Sequence, residues 1–120
     1  MADDKVSGYL KEWVVNFERH RDIMKREIMN IDLDGELYDV RIQMRNGDRY
    51  YKVMTMLPET DKIKEMVDAL DALTIVAINN KNNLTALNDS WNEFSAYPNL
   101  TFIFINPFSL TDKRWIIRPT

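Results

Sequence analysis

The chain has 120 residues, a formal net charge of −3 and no cysteine, with 45% apolar and 29% charged residues. This composition belongs to a folded chain rather than a disordered one, and it excludes disulfides, thiol nucleophiles and thiolate metal sites. The single histidine, His20, argues against a zinc centre or a Ser-His relay. The longest apolar runs, Leu73–Ile78 and Phe102–Ile105, are too short to span a bilayer, and the polar start Met1-Ala-Asp-Asp-Lys5 carries no signal region. The expectation is one α+β domain over residues 1–120, cytoplasmic and without a membrane partner.

The first element is a helix. Val6, Tyr9, Leu10, Trp13, Val14, Phe17 and Met24 recur at three- and four-residue spacing, with Glu12, Asn16, Arg19, Asp22 and Arg26 opposite. Next comes a three-stranded antiparallel meander. Met29, Ile31 and Leu33 alternate with polar residues, as do Tyr38, Val40, Ile42 and Met44, and then Tyr51, Val53 and Thr55. Asp34-Gly35 and Asn46-Gly47 are read as two-residue turns, since both tolerate positive φ. In that register Ile31 faces Tyr38 and Val40 faces Val53, while Arg41 lies opposite Lys52 and Gln43 opposite Tyr50. Asp39 is then the nearest counter-charge for both cations.

Thr60 is the expected N-cap of a second helix carrying Ile63, Met66, Val67 and Leu70. Leu73–Ile78 reads as a strand buried on both faces, and residues 79–83 as a polar loop. A third helix displays Leu84, Leu87, Trp91 and Phe94 and stops before Pro98. Leu100–Ile105 is a second buried strand, parallel to the first through a crossover. Trp115-Ile-Ile is a short edge strand. The order is αβββαβαβ, a mixed sheet in an α+β fold.

The distribution of charge singles out one segment. Residues 41–52 carry Arg41, Arg45, Arg49 and Lys52 against Asp48 alone. Arg41, Gln43, Arg45, Tyr50 and Lys52 together form a candidate patch for anions or nucleic acid, in which cations meet phosphate and Tyr50 stacks on a base. The alternative is a solvated ionic cluster, because exposed ion pairs are common and weak. The asparagine-rich loop and Asn106-Pro107-Phe108-Ser109, with Lys81, Lys113 and Arg114 nearby, form a second candidate. They follow buried strands, where ligands of α/β units bind.

The element order also resembles the restriction-endonuclease-like, or PD-(D/E)xK, nuclease superfamily. The resemblance rests on Asp39 in the second strand and Lys52 in the third. It implies a divalent metal such as magnesium, held by acids, and a lysine that stabilises developing charge on phosphate. The signature acid, with ten residues between it and Asp39, falls at Tyr50, and Tyr38 stands where the motif has proline. A neutral phenol does not replace a carboxylate as a ligand for a hard cation. If metal were held, Asp39 and Asp48 would be the acids. The leading functional expectation is a non-catalytic binding domain with no cofactor, a decayed nuclease-like fold with nucleic acid as candidate partner. The alternatives are a homo-oligomer without a nucleic-acid role, and a magnesium-dependent nuclease using Asp39, Asp48 and Lys52.

Overall fold

A computed structural model describes residues 2–35, 38–45, 47–57, 60–70, 72–105 and 114–118. One mixed sheet contains six strands: β1 (Ile28–Leu33), β2 (Val40–Met44), β3 (Gly47–Met54), β4 (Leu73–Ile78), β5 (Leu100–Ile105) and β6 (Arg114–Ile117). Their spatial order is the order of the chain. β1, β2 and β3 are antiparallel, β3, β4 and β5 parallel, and β6 returns antiparallel along β5. The helices are α1 (Ala2–Asp22), α2 (Thr60–Ala69), α3 (Lys81–Asp89) and α4 (Trp91–Phe94). This is the α+β order read from the sequence, with the last edge strand present. Among the described residues no helix is long and apolar enough to cross a membrane.

The alternation of side chains along each strand divides the core into two layers. On one face Leu10 and Val14 of α1 pack on Val40, Ile42, Met44, Tyr51 and Val53, and the layer continues to Val76, Ile103 and Ile105. On the other face Ile63 and Val67 of α2, Leu87 of α3 and Phe94 of α4 cover Leu73, Ile75, Ala77, Leu100, Phe102 and Phe104. β4 and β5 are thus buried on both sides, as their unbroken apolar runs require. The helices are placed diagonally. α1 lies over β1–β3 on its face, and α2–α4 lie over β4 and β5 on theirs. Two quarters of the sheet therefore have no described helix above them.

The register differs from the two-residue-turn reading. Leu33 pairs with Val40, so residues 34–39 connect β1 to β2. Asp34 adopts φ 58 and donates its N–H to the Asp39 carbonyl at 2.9 Å. A Cβ at Gly35 would collide with the Tyr38 ring, so a larger residue there requires that ring to move. In the second hairpin Met44 pairs with Gly47, which makes 45–46 the connection instead of Asn46-Gly47; Asn46 itself lies outside the described residues. Moving a turn by one residue moves every cross-strand partner by two. Val40 accordingly faces Tyr51 instead of Val53, Arg41 faces Tyr50 instead of Lys52, and Gln43 faces Asp48 instead of Tyr50. A shift of two preserves parity, so the buried face of β2 and β3 is the expected one.

β1 departs further. A bulge between Ile28 and Asn30 turns Ile28 toward the α1 layer and leaves Met29 exposed; Leu33, at the end of this edge strand, is exposed as well. α1 ends at Asp22, whose carboxylate accepts the N–H groups of Glu27 (2.7 Å) and Ile28 (3.0 Å), so Met24 lies beyond the helix and is exposed. His20 is exposed, with Nδ1 2.8 Å from the Asn16 carbonyl. The expected third helix is two helices divided at Ser90, with Trp91 on the outside.

The loop expected over residues 79–83 is mostly helix. Asn80 caps α3 by accepting the Asn83 N–H at 2.8 Å. The buried Asn83 amide then donates to the carbonyls of Thr55 (3.0 Å) and Ile78 (2.9 Å) and accepts the Leu57 N–H (3.0 Å). It ties the end of β4 to the segment leaving β3.

Candidate functional site

The first uncovered quarter holds the residues singled out in the sequence. Asp32 of β1, Arg41 of β2 and Tyr50 of β3 lie side by side across the three strands. Arg41 donates to Asp48 Oδ2 from Nη2 (2.6 Å) and Nε (3.1 Å), and its Nη1 is 3.8 Å from Asp32 Oδ2. The Asp48 hydrogen bond is the main reason its pKa is raised. Asp39 is not the counter-ion of Arg41. Its Oδ2 accepts the Val53 N–H at 2.8 Å and stands 3.6 Å from Lys52 Nζ. The Asp39 backbone N–H donates to the Tyr51 carbonyl, also at 2.8 Å. The carboxylate thus continues the β2–β3 ladder where the backbone of β2 no longer reaches, a structural use of the acid.

Gln43 accepts from Asn30 Nδ2 at 3.1 Å, and Arg45 is exposed at the hairpin end. The Tyr50 ring, half-buried, lies 5.4 Å from the Tyr38 ring, centroid to centroid, with the Arg41 guanidinium 5.8 Å from its centre. The structure therefore gathers Arg41, Gln43, Tyr50 and Lys52 on one face and places Arg45 at its margin. Among the described residues no group of three or more His, Cys, Asp or Glu side chains converges as metal ligands.

The second quarter was not anticipated. A cleft of about 460 Å³ opens beside α1, over the N-terminal ends of β4 and β5 and next to β6. Phe17, Ile103 and Ile116 supply apolar wall, Thr74 and Thr101 hydroxyls, and Arg21, Arg49 and Arg118 charge. Behind the wall lies Glu18, 1% exposed. Its carboxylate accepts the Tyr51 hydroxyl, Arg49 Nη1 (3.3 Å to Oε2) and Arg21 Nη1 (3.2 Å to Oε1). Burial pushes the Tyr51 phenol up, and the neighbouring carboxylate pushes it further. Two signals for this cluster are present in the sequence. Glu18 and Arg21 continue the Leu10–Val14–Phe17 stripe, and Arg49 shares the parity of Tyr51 and Val53.

At the opposite ends of β4 and β5 an open depression of about 470 Å³ is lined by Asn79, Asn80, Lys81, Leu84, Thr85 and Asn88. Residues 106–109 and Lys113, expected to complete it, lie outside the described residues.

No family model matches the chain, and neither does any curated protein. Its fold is that of a known structure. The YaeQ protein from Xanthomonas axonopodis pv. citri superposes with a TM-score of 0.51 at 13% identity, over 65% of this chain and 47% of that one. The chain spans about half the length of the protein it matches. At that identity the similarity concerns fold alone.

Proposed function

We propose that this chain is a non-catalytic binding domain on a nuclease-like scaffold, and that it contacts single-stranded nucleic acid through the Tyr50 face. The observation that supports this is what stands at the signature positions. Asp39 Oδ2 is engaged by a backbone N–H and an ammonium group, and position 50 presents an aromatic ring flanked by Tyr38 and Arg41. A ring beside a guanidinium is a platform for a nucleobase, whereas a hard cation requires oxygen ligands.

A mobility-shift titration with single-stranded and branched DNA tests the reading. Binding that weakens as salt rises is expected. Tyr50→Ala should lose affinity on the scale of one base stack, about 1–3 kcal/mol. No binding at low salt, or strand cleavage on adding magnesium or manganese, would refute it. One surface supports a homo-oligomer as a second reading. Ile23, Met24, Met29 and Leu33 are all more than half exposed around the edge strand β1, and edge strands invite pairing with another chain. Sedimentation equilibrium showing a dimer that Met29→Lys dissociates would favour it.

A further inference from the structure

We infer that the cleft beside α1 is a binding site for an organic phosphoester, a phosphate carried on an apolar body. The inference concerns the opposite face of the sheet and does not rest on the nucleic-acid reading. Charge points to an anion: among the described lining residues there are three arginines, Arg21, Arg49 and Arg118, and no carboxylate. Glu18 sits behind that lining and engages Arg21 and Arg49 through Nη1. A guanidinium has five N–H donors, so the Nε and Nη2 edges of both remain for a ligand. Both groups are 40–50% exposed (41% for Arg49, 49% for Arg21), while their anchor is buried.

A carboxylate with no access to water thus holds two half-exposed arginines in place. Donors fixed before the ligand arrives lose less freedom on binding. Arg21 is held a second time, its guanidinium 5.1 Å from the centre of the Phe17 ring.

The donor set favours phosphate over carboxylate. One arginine fork satisfies a carboxylate, whereas a tetrahedral dianion accepts from several directions at once. Thr74 and Thr101, register partners on β4 and β5, add adjacent hydroxyls on the cleft floor. Asn99 is committed elsewhere, donating to the carbonyls of Val67 and Leu70. The volume exceeds what an inorganic ion fills and lies within the range of small-molecule sites, about 300–1,000 Å³. The walls formed by Phe17, Ile103 and Ile116 suit an apolar or aromatic body. A free nucleotide and the 5′-phosphate end of a strand present the same chemistry.

Calorimetric and 15N-resolved NMR titration of the full chain decides the matter, with adenosine 5′-monophosphate as probe and adenosine and inorganic phosphate as controls. The monophosphate should bind saturably and shift the Thr74 and Thr101 amides, with each control at least tenfold weaker. Arg118→Gln, outside the Glu18 cluster, should weaken binding about tenfold while leaving the melting temperature unchanged, and Lys62→Gln, exposed on α2, should have no effect. Comparing 5′-phosphorylated with 5′-hydroxyl oligothymidylate identifies the source. A preference for the phosphorylated end, tighter than the free nucleotide, assigns the site to strand ends; otherwise the ligand is a free nucleotide. No binding at millimolar monophosphate, adenosine or inorganic phosphate binding equally well, or an unaffected Arg118→Gln variant would overturn the inference.

Discussion

A carboxylate removed from water must be solvated by the protein, and Glu18 accepts from a phenol and two guanidinium groups. Glu18→Gln leaves the shape and removes the charge. It should cost about 2–3 kcal/mol, measured by urea denaturation, because hydrogen bonds to ionised groups are worth more than neutral ones. Tyr51 contributes a pH dependence. Its pKa is raised by burial first and by Glu18 second, so the native state holds the phenolic proton more tightly than the unfolded chain does. That stability is complete below the ordinary tyrosine value of about 10 and declines as pH rises above it. Alkaline denaturation curves of wild type and Tyr51→Phe should therefore differ above that pH. A Tyr51 absorbance change that precedes unfolding would contradict this. For Asp39, Asp39→Ala should cost about 1–2 kcal/mol through the lost Val53 hydrogen bond. An exposed counter-charge alone would give a small loss recovered by salt. The structure implies one that salt restores little, because the partner is a backbone N–H as well as Lys52. Millimolar magnesium should leave the melting temperatures of wild type and variant unchanged, and a rise in the wild type alone would reinstate metal binding. Asp39 and Lys52 were legible as neighbours. Glu18 was not, because a charged residue continuing an apolar stripe is ordinarily assigned to water.

Among the elements, β1–β3 were legible through alternation, β4 and β5 through their unbroken apolar runs, and the helices through their three- and four-residue spacing. The connections were not, for identifiable reasons. Asp34 does take the left-handed backbone that its turn motif suggested, yet Leu33 pairs with Val40, so the connection runs over residues 34–39 and is closed by the Asp34 N–H on the Asp39 carbonyl. Met29 alternates correctly in the sequence and is exposed because of a bulge, which leaves no signature in apolar pattern. The asparagine run concealed a cap and a clamp, since Asn is common in loops for the same hydrogen-bonding capacity that Asn83 uses inside. Asn83→Ala would leave the Leu57 N–H and the Thr55 and Ile78 carbonyls without this partner. The expected cost is about 2–3 kcal/mol by thermal denaturation, with faster hydrogen exchange at the Leu57 amide. An unchanged exchange rate there would mean that water replaces the side chain without loss.

At the scale of the molecule, the diagonal placement of helices produces the two open quarters. One carries the paired charges that the sequence pointed to, beside two tilted tyrosine rings; the other carries the arginine cleft that only the assembled sheet reveals. Its residues come from α1, β3, β4, β5 and the end of β6, and no local window of sequence contains them together. The spatial order β1-β2-β3-β4-β5-β6 has a consequence for how the chain is made. Each strand pairs with the one synthesised just before it, so none has to wait for, or later be parted by, a segment still inside the ribosome. Sheets with short-range pairings fold faster than those whose neighbours are distant in sequence. During translation one edge of the sheet stays at β1 while the other is at each stage the strand that emerged last, so the second template for misassociation moves outward with the nascent chain.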